Sequence, residues 1–241
     1  MRIVAIIQAR MGSARLPGKV MLDLAGEPML ARCVVRAQRA LTLHAVVVAT
    51  TLGSADERIV RLCARRGWPC FRGSQEDVLD RYRRAAMEHR ADLVVRMTSD
   101  CPLIEPEIID RVVGEYQRHA PLDYASNILP PRTFPRGLDV EVMAFEALER
   151  AWREDRDPAW REHVTPYLYR HPEIFRLHGV HNDADLSDLR WTVDTPEDLA
   201  FARRVYDHFG HDRFSWQEVL QALRQHPEWT QINRHVPQKV L

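Results

Sequence analysis

Hydrophobic positions along the chain follow two patterns in turn. Residues 3–7 form an apolar run of strand length, and largely apolar strand candidates follow at 44–49 (HAVVVA) and 92–97 (DLVVRM), with a shorter one around Cys70 and Phe71. Between them, apolar residues recur at helical spacing. Met29, Cys33, Val34 and Ala37 share one side of residues 28–41, and Ile108, Ile109, Val112, Val113 and Tyr116 form a stripe along 107–118. Residues 55–66, stopped by Gly67, and residues 77–90 predict two further helices. Strand and helix alternating at this rhythm predict an α/β protein with a mostly parallel sheet.

The rhythm breaks near Pro121. Residues 123–135 are rich in proline and polar groups, which predicts a surface loop or arm. Strands are then expected at 137–143, 175–181 and 189–193, and helices at 146–153 and 196–209, the last with Thr195 as N-cap and Pro196 in its first position. With no internal repeat, this pattern fits one domain, 1–241, carrying an excursion at 123–185.

Composition removes several classes of function. The 34 basic and 34 acidic side chains cancel, so a general nucleic-acid binder, which needs a positive surplus, is not expected. No apolar run is long enough to span a bilayer, and the N-terminus shows no signal-peptide pattern; a cytoplasmic protein is expected. Cys33, Cys63, Cys70 and Cys101 form no CxxC pair and read as buried free thiols. The 11 histidines lack HxH and HExxH spacing, which argues against zinc.

Directly behind the first strand stands QARMGSARLPGK, residues 8–19. A loop there lies at the carboxyl edge of a parallel sheet, where such folds bind ligands. Gly12 and Gly18 let backbone amides approach an anion, Arg10, Arg15 and Lys19 supply cationic donors, and Pro17 restrains the loop. The composition suits a triphosphate or, as the bland alternative, a solvated basic loop. It is neither a Walker A loop, since Val20 follows Lys19, nor a GxGxxG fingerprint.

The ordered pattern resembles the cytidylyltransferases that make CMP-activated sugar acids, typified by CMP-N-acylneuraminate and CMP-Kdo synthetases. It is most similar to their SpsF-like branch, named for spore-coat polysaccharide biosynthesis. The likeness runs through the opening loop, VVVATT (46–51), FRGSQEDVLDRYRRAA (71–86), RMTSDCPLI (96–104), PRGLDVEV (135–142), REHVTPYLY (161–169) and WTVDTPEDL (191–199). It implies a Rossmann-like sheet of the nucleotide-diphospho-sugar transferase type with a small dimerisation excursion, and a homodimer. It implies CTP as nucleotide, held by Arg10, Gly12, Ser13, Arg15 and Lys19, and Mg²⁺ held by Asp100 and Asp194. Arg15, Lys19, Asp100 and Asp194 are then the expected catalytic set. The residues by themselves leave UTP, GTP or a dNTP, and a non-catalytic nucleotide-binding protein, as alternatives.

Each of these aspartates also has a local reading. Asp100 fits a turn or cap, and Asp194 fits a helix N-terminus. Glu197 and Asp198 fall in the first turn of the 196–209 helix, where they offset its dipole. Arg96 interrupts an apolar strand and either pairs with a buried carboxylate or reaches a ligand. For the acceptor, Arg136, Asp139 and Glu141 are interleaved with Leu138, Val140 and Val142, and period-2 spacing puts the two acids on one strand face. Together with His163 of REHVT they form the expected acceptor side, within the 123–185 acceptor-binding and dimerisation region. Trp152, Trp160, Tyr167 and Tyr169 read as core or interface aromatics, because no basic stripe accompanies them.

Overall fold

A computed structural model describes residues 1–238 of the 241. In chain order, β1 (Ile3–Gln8) is followed by the two-residue strands β2 (Asp23–Leu24) and β3 (Glu27–Pro28). Next come α1 (Met29–Ala37), β4 (Ala45–Thr51), α2 (Glu57–Arg66), β5 (Cys70–Gly73), α3 (Val78–Glu88) and β6 (Leu93–Thr98). The second half comprises α4 (Pro106–Arg118), β7 (Tyr124–Ser126), β8 (Glu141–Ala144), α5 (Phe145–Glu154), α6 (Pro158–His163), α7 (Pro166–Arg170), β9 (Leu177–Gly179), α8 (Pro196–Phe209) and α9 (Trp216–Gln225).

The main sheet has the order β5-β4-β1-β6-β8-β7-β9. The pairings β5·β4, β4·β1, β1·β6 and β7·β9 are parallel, whereas β8 runs antiparallel to both β6 and β7. The expected α/β fold with a mostly parallel sheet is therefore present as a mixed sheet. Alternation along β1 divides the core. Ile3, Ala5 and Ile7 join one apolar layer with α1, α2, α4, α8 and α9, and Val4 and Ile6 join the other with α3, α5 and α7. This two-sided burial is why β1, β4 and β6 read as continuous apolar runs.

The predicted helix starting at Pro196 is observed, with Thr195 capped by a reciprocal pair of hydrogen bonds with Asp198. Elsewhere the sequence misleads. Residues 123–135 are not all surface arm, since Tyr124–Ser126 form the buried strand β7. Polar residues are buried here because they serve the backbone. Ser126 Oγ donates to the Val140 carbonyl at 2.8 Å, while Asn127 donates to Leu138 O (2.6 Å) and accepts from Val140 N (2.8 Å). The 189–193 segment, expected as a strand, is extended but isolated. One bridge, Arg136 to Arg190, joins it to the loop before β8. The helices α6, α7 and α9 went unpredicted, while the 137–143 and 175–181 strands shrink to β8 and β9. No helix among the described residues is long and apolar enough to cross a membrane.

Candidate active site

The loop behind β1 is closed on itself and tied to the sheet. Gly18 takes a left-handed conformation (φ 68°), and its N–H donates to the Met11 carbonyl at 3.0 Å. Met11 N–H donates to Asp56 Oδ1 at 2.7 Å, and buried Asp56 also accepts from the Thr51 hydroxyl. Ser13 Oγ accepts from Leu16 N–H at 3.3 Å. A side chain added at Gly12 would meet nothing within 4 Å, so the backbone there faces open space. Arg10, Gly12, Ser13, Arg15 and Lys19 all line one cleft of about 780 Å³.

Asp100 follows β6, the parallel neighbour of β1, and so emerges beside this loop. Asp194 ends the extended 189–193 segment, whose Val193 N–H donates to the Asp100 carbonyl at 2.7 Å. Lys19 lies between the two acids. Its Nζ is 2.8 Å from Asp100 Oδ2, 2.9 Å from Asp194 Oδ1 and 2.8 Å from the Val193 carbonyl. Arg15 reaches Asp194 Oδ2 at 2.9 Å. Thr98 donates its hydroxyl to Asp100 Oδ1 at 2.5 Å.

Burial alone would raise the Asp100 pKa, but the Lys19 charge and the hydrogen bonds from Lys19 and Thr98 outweigh it and lower the pKa to about 2. Burial would lower the Lys19 pKa, yet Asp100 and Asp194 reverse the sign and raise it above the usual lysine value. Both groups are thus ionised at neutral pH.

Asp198 was expected to offset a helix dipole. It does cap α8, but its carboxylate is fully buried in a larger network. It meets Arg190 at two points, 2.8 and 3.0 Å, and accepts from Asp194 N–H (2.9 Å), Thr195 N–H (3.0 Å) and Asn233 Nδ2 (2.9 Å). Arg190 also reaches Asp194 Oδ2 at 3.0 Å. Asp194 is therefore held from behind by a buried ion pair and from the front by the opening loop. Glu197, its sequence neighbour, is half-buried.

Arg136, Asp139, Glu141 and His163 all border the same cleft. Asp139 lies outside β8, paired with Arg132, and accepts from Gly137 N–H at 3.2 Å. Glu141 is buried against Arg96 and accepts from Tyr124 Oη at 2.6 Å, which answers the question of Arg96 with a carboxylate partner. Burial, with Arg132 and Arg190 nearby, lowers the Arg136 pKa. His163 ends α6, where neighbouring Glu162 pairs with Arg10 at 3.0 Å.

Gln8, Arg81, Arg132 and Glu162 also line the cleft and were not singled out from the sequence. Arg81 offered a usable signal. It sits in the FRGSQEDVLDRYRRAA stretch as a cation on the apolar side of α3, where only 1% of it is exposed.

A family profile described as cytidylyltransferase matches residues 4–225. An uncharacterized protein of Methanocaldococcus jannaschii is 37% identical over 99% of this chain and 97% of its own length. The spore coat polysaccharide biosynthesis protein SpsF of Bacillus subtilis is 30% identical over 94% of this chain and 95% of its own. Among solved structures, a cytidylyltransferase from Leptospira borgpetersenii superposes with a TM-score of 0.92 at 32% identity, covering 100% of this chain and 99% of that one.

Proposed function

The chain belongs to the cytidylyltransferase family, and on that premise we propose that it transfers the cytidylyl group of CTP to a small acceptor and releases pyrophosphate. The acceptor we propose is a sugar, a sugar acid or a small phosphorylated metabolite, used in the manner of the SpsF-like branch. One observation carries this reading: Lys19, Arg15, Asp100 and Asp194 converge in one cleft beneath a glycine-containing loop.

In this reading Arg10, Ser13, Arg15 and Lys19 hold the triphosphate. Lys19 and Arg15 exchange their carboxylate partners for β- and γ-phosphate oxygens and offset the charge that develops there. The donor set fits Mg²⁺, because two carboxylates, hard oxygen donors, reach one ammonium within hydrogen-bond distance of each. Bound there, Mg²⁺ would polarise phosphate oxygens and stabilise the leaving pyrophosphate. Arg190 and Asp198 would keep Asp194 in place when Lys19 turns away. Arg136, at the wall of the cleft, would supply positive charge to an anionic acceptor, which Asp139, Glu141 and His163 would orient. We assign acceptor binding and dimerisation to the 123–185 region.

Pyrophosphate release across CTP, UTP, GTP and ATP, with a library of acidic sugars and phosphorylated metabolites, tests the reading. The expected result is CTP- and Mg²⁺-dependent release with one acceptor class. Preference for another nucleotide would replace CTP in the scheme, and no acceptor-dependent release with any nucleotide would overturn it.

A further inference from the structure

Away from the cleft, Glu115, His119 and His178 bring three donor atoms to within 4.8 Å of one another. Glu115 and His119 stand one turn apart at the carboxyl end of α4, and His178 is the middle residue of β9, the edge strand of the main sheet. None of the three borders the cleft. We propose that this cluster is a binding site for a divalent cation of the zinc class, which fastens the end of α4 to the sheet edge.

The distances suit that ion. His119 Nδ1 is 3.3 Å and His178 Nε2 is 3.6 Å from Glu115 Oε2. A tetrahedral centre with bonds of about 2.0–2.2 Å places neighbouring ligand atoms roughly 3.3–3.6 Å apart. Two edges of the ligand triangle therefore already have the required length, and the edge between the imidazole nitrogens is within 4.8 Å. The two rings are stacked, 4.1 Å between centroids and 21° between planes, so both imidazoles must rotate out of the stack before their in-plane lone pairs meet at one ion.

The surroundings favour the same outcome. The other Glu115 oxygen, Oε1, is paired with Arg118, which steadies the carboxylate and leaves Oε2 facing the histidines. Two imidazole nitrogens and one carboxylate oxygen form a donor set that suits zinc, whereas magnesium prefers oxygen alone. His119 Nδ1 also lies 3.1 Å from the Glu115 carbonyl, a contact the cation would replace. Three protein ligands leave a fourth position for water. The spacing argument against zinc missed the cluster because it searched neighbouring histidines, whereas His178 comes from a distant strand. β9 has three residues and, among the described residues, pairs with β7 alone, so a cation bridging it to α4 would add a second attachment.

The test uses the full chain after chelator treatment and dialysis. Calorimetric titration with Zn²⁺, and separately with Mg²⁺, is joined by visible spectra of the Co²⁺ form. One equivalent of Zn²⁺ should bind with a micromolar or tighter dissociation constant, Co²⁺ should show a four-coordinate spectrum, and Mg²⁺ should not compete. His178→Ala should weaken Zn²⁺ binding at least about tenfold, and His119→Ala with His178→Ala should abolish it. Zn²⁺ should raise the Tm of the wild type and leave that of the double variant unchanged. If circular dichroism shows that the histidine variants do not fold, Glu115→Gln, which preserves side-chain shape, should still weaken binding. Undiminished Zn²⁺ affinity in the folded variants, or no saturable binding by the wild type, would overturn the site and leave an ion pair only.

Discussion

The Lys19 ammonium lies 2.8 Å from the Asp100 carboxylate, across 81 residues of sequence. The two meet because β1 and β6 are parallel neighbours, so the segments leaving their carboxyl ends emerge side by side. Lys19 also joins Asp100 to Asp194, contacting both carboxylates through its side chain. Replacing it leaves two carboxylates facing each other and removes a cation from the proposed triphosphate site. Lys19→Ala should lower transfer by roughly 10²-fold or more, with a smaller loss in nucleotide affinity. Steady-state kinetics and calorimetric titration with CTP and Mg²⁺ check this. Wild-type turnover in the variant would remove Lys19 from the catalytic set.

The same pair sets a pH window. Asp100 has its pKa lowered to about 2, so its ionised form stabilises the fold at any pH above the unfolded value near 4. That contribution is lost as pH falls from there through about 2. Lys19, with its pKa raised, contributes fully below the ordinary lysine value and loses the contribution only in strong base. The stability difference between wild type and Asp100→Asn should therefore be flat from pH 5 to 8 and shrink below about pH 4. Urea unfolding at pH 7, 4.5 and 3 measures it. A difference that changes most between pH 6 and 7 would assign the dependence to another group.

How much of this was legible in the sequence depends on where each residue finds its partner. β1, β4 and β6 were visible because both their faces are buried, and the opening loop because its cations and glycines are contiguous. β7 was hidden because Ser126 and Asn127 look like loop residues until their backbone partners at 138 and 140 are known. The 189–193 segment has strand composition yet borders irregular chain, so no ladder forms around it. Glu141 read as an acceptor-side acid, and only the fold reveals Arg96 and Tyr124 beside it. Asp198 is similar: its cap is local and readable, but its ion pair with Arg190 depends on how the chain returns.

That ion pair gives a stability prediction. Asp198 is fully buried and Arg190 is 7% exposed, so removing the Asp198 charge leaves a buried guanidinium with Asp194 as its remaining carboxylate partner among the described residues. Asp198→Asn should cost about 3–5 kcal/mol, the usual scale for a broken buried pair. It should also reduce transfer, because the carboxylate also receives the Asp194 N–H. Chemical denaturation alongside turnover decides the matter. A loss below about 1 kcal/mol with unchanged turnover would show that Arg190 finds other partners.

Gly137 offers the most local handle on Asp194. Its φ of 107° lies in the left-handed half of conformational space, and a Cβ there would stand 2.5 Å from Thr192 N and 2.6 Å from the Trp191 carbonyl carbon. Those are backbone atoms, which no side-chain rotation can move aside. Arg136, the preceding residue, carries the bridge to the same segment: Arg136 N–H donates to Leu189 O at 2.9 Å, and Trp191 N–H donates to Arg136 O at 2.6 Å. Gly137→Ala must therefore push the 191–194 segment outward or bend the chain before β8. The substitution should destabilise the fold by more than about 1 kcal/mol. Because the displaced segment ends at Asp194, transfer should fall further than the fraction of folded protein does. Turnover measured on protein shown by circular dichroism to be folded separates the two effects. Wild-type Tm and turnover together would mean that the segment yields freely and does not position Asp194.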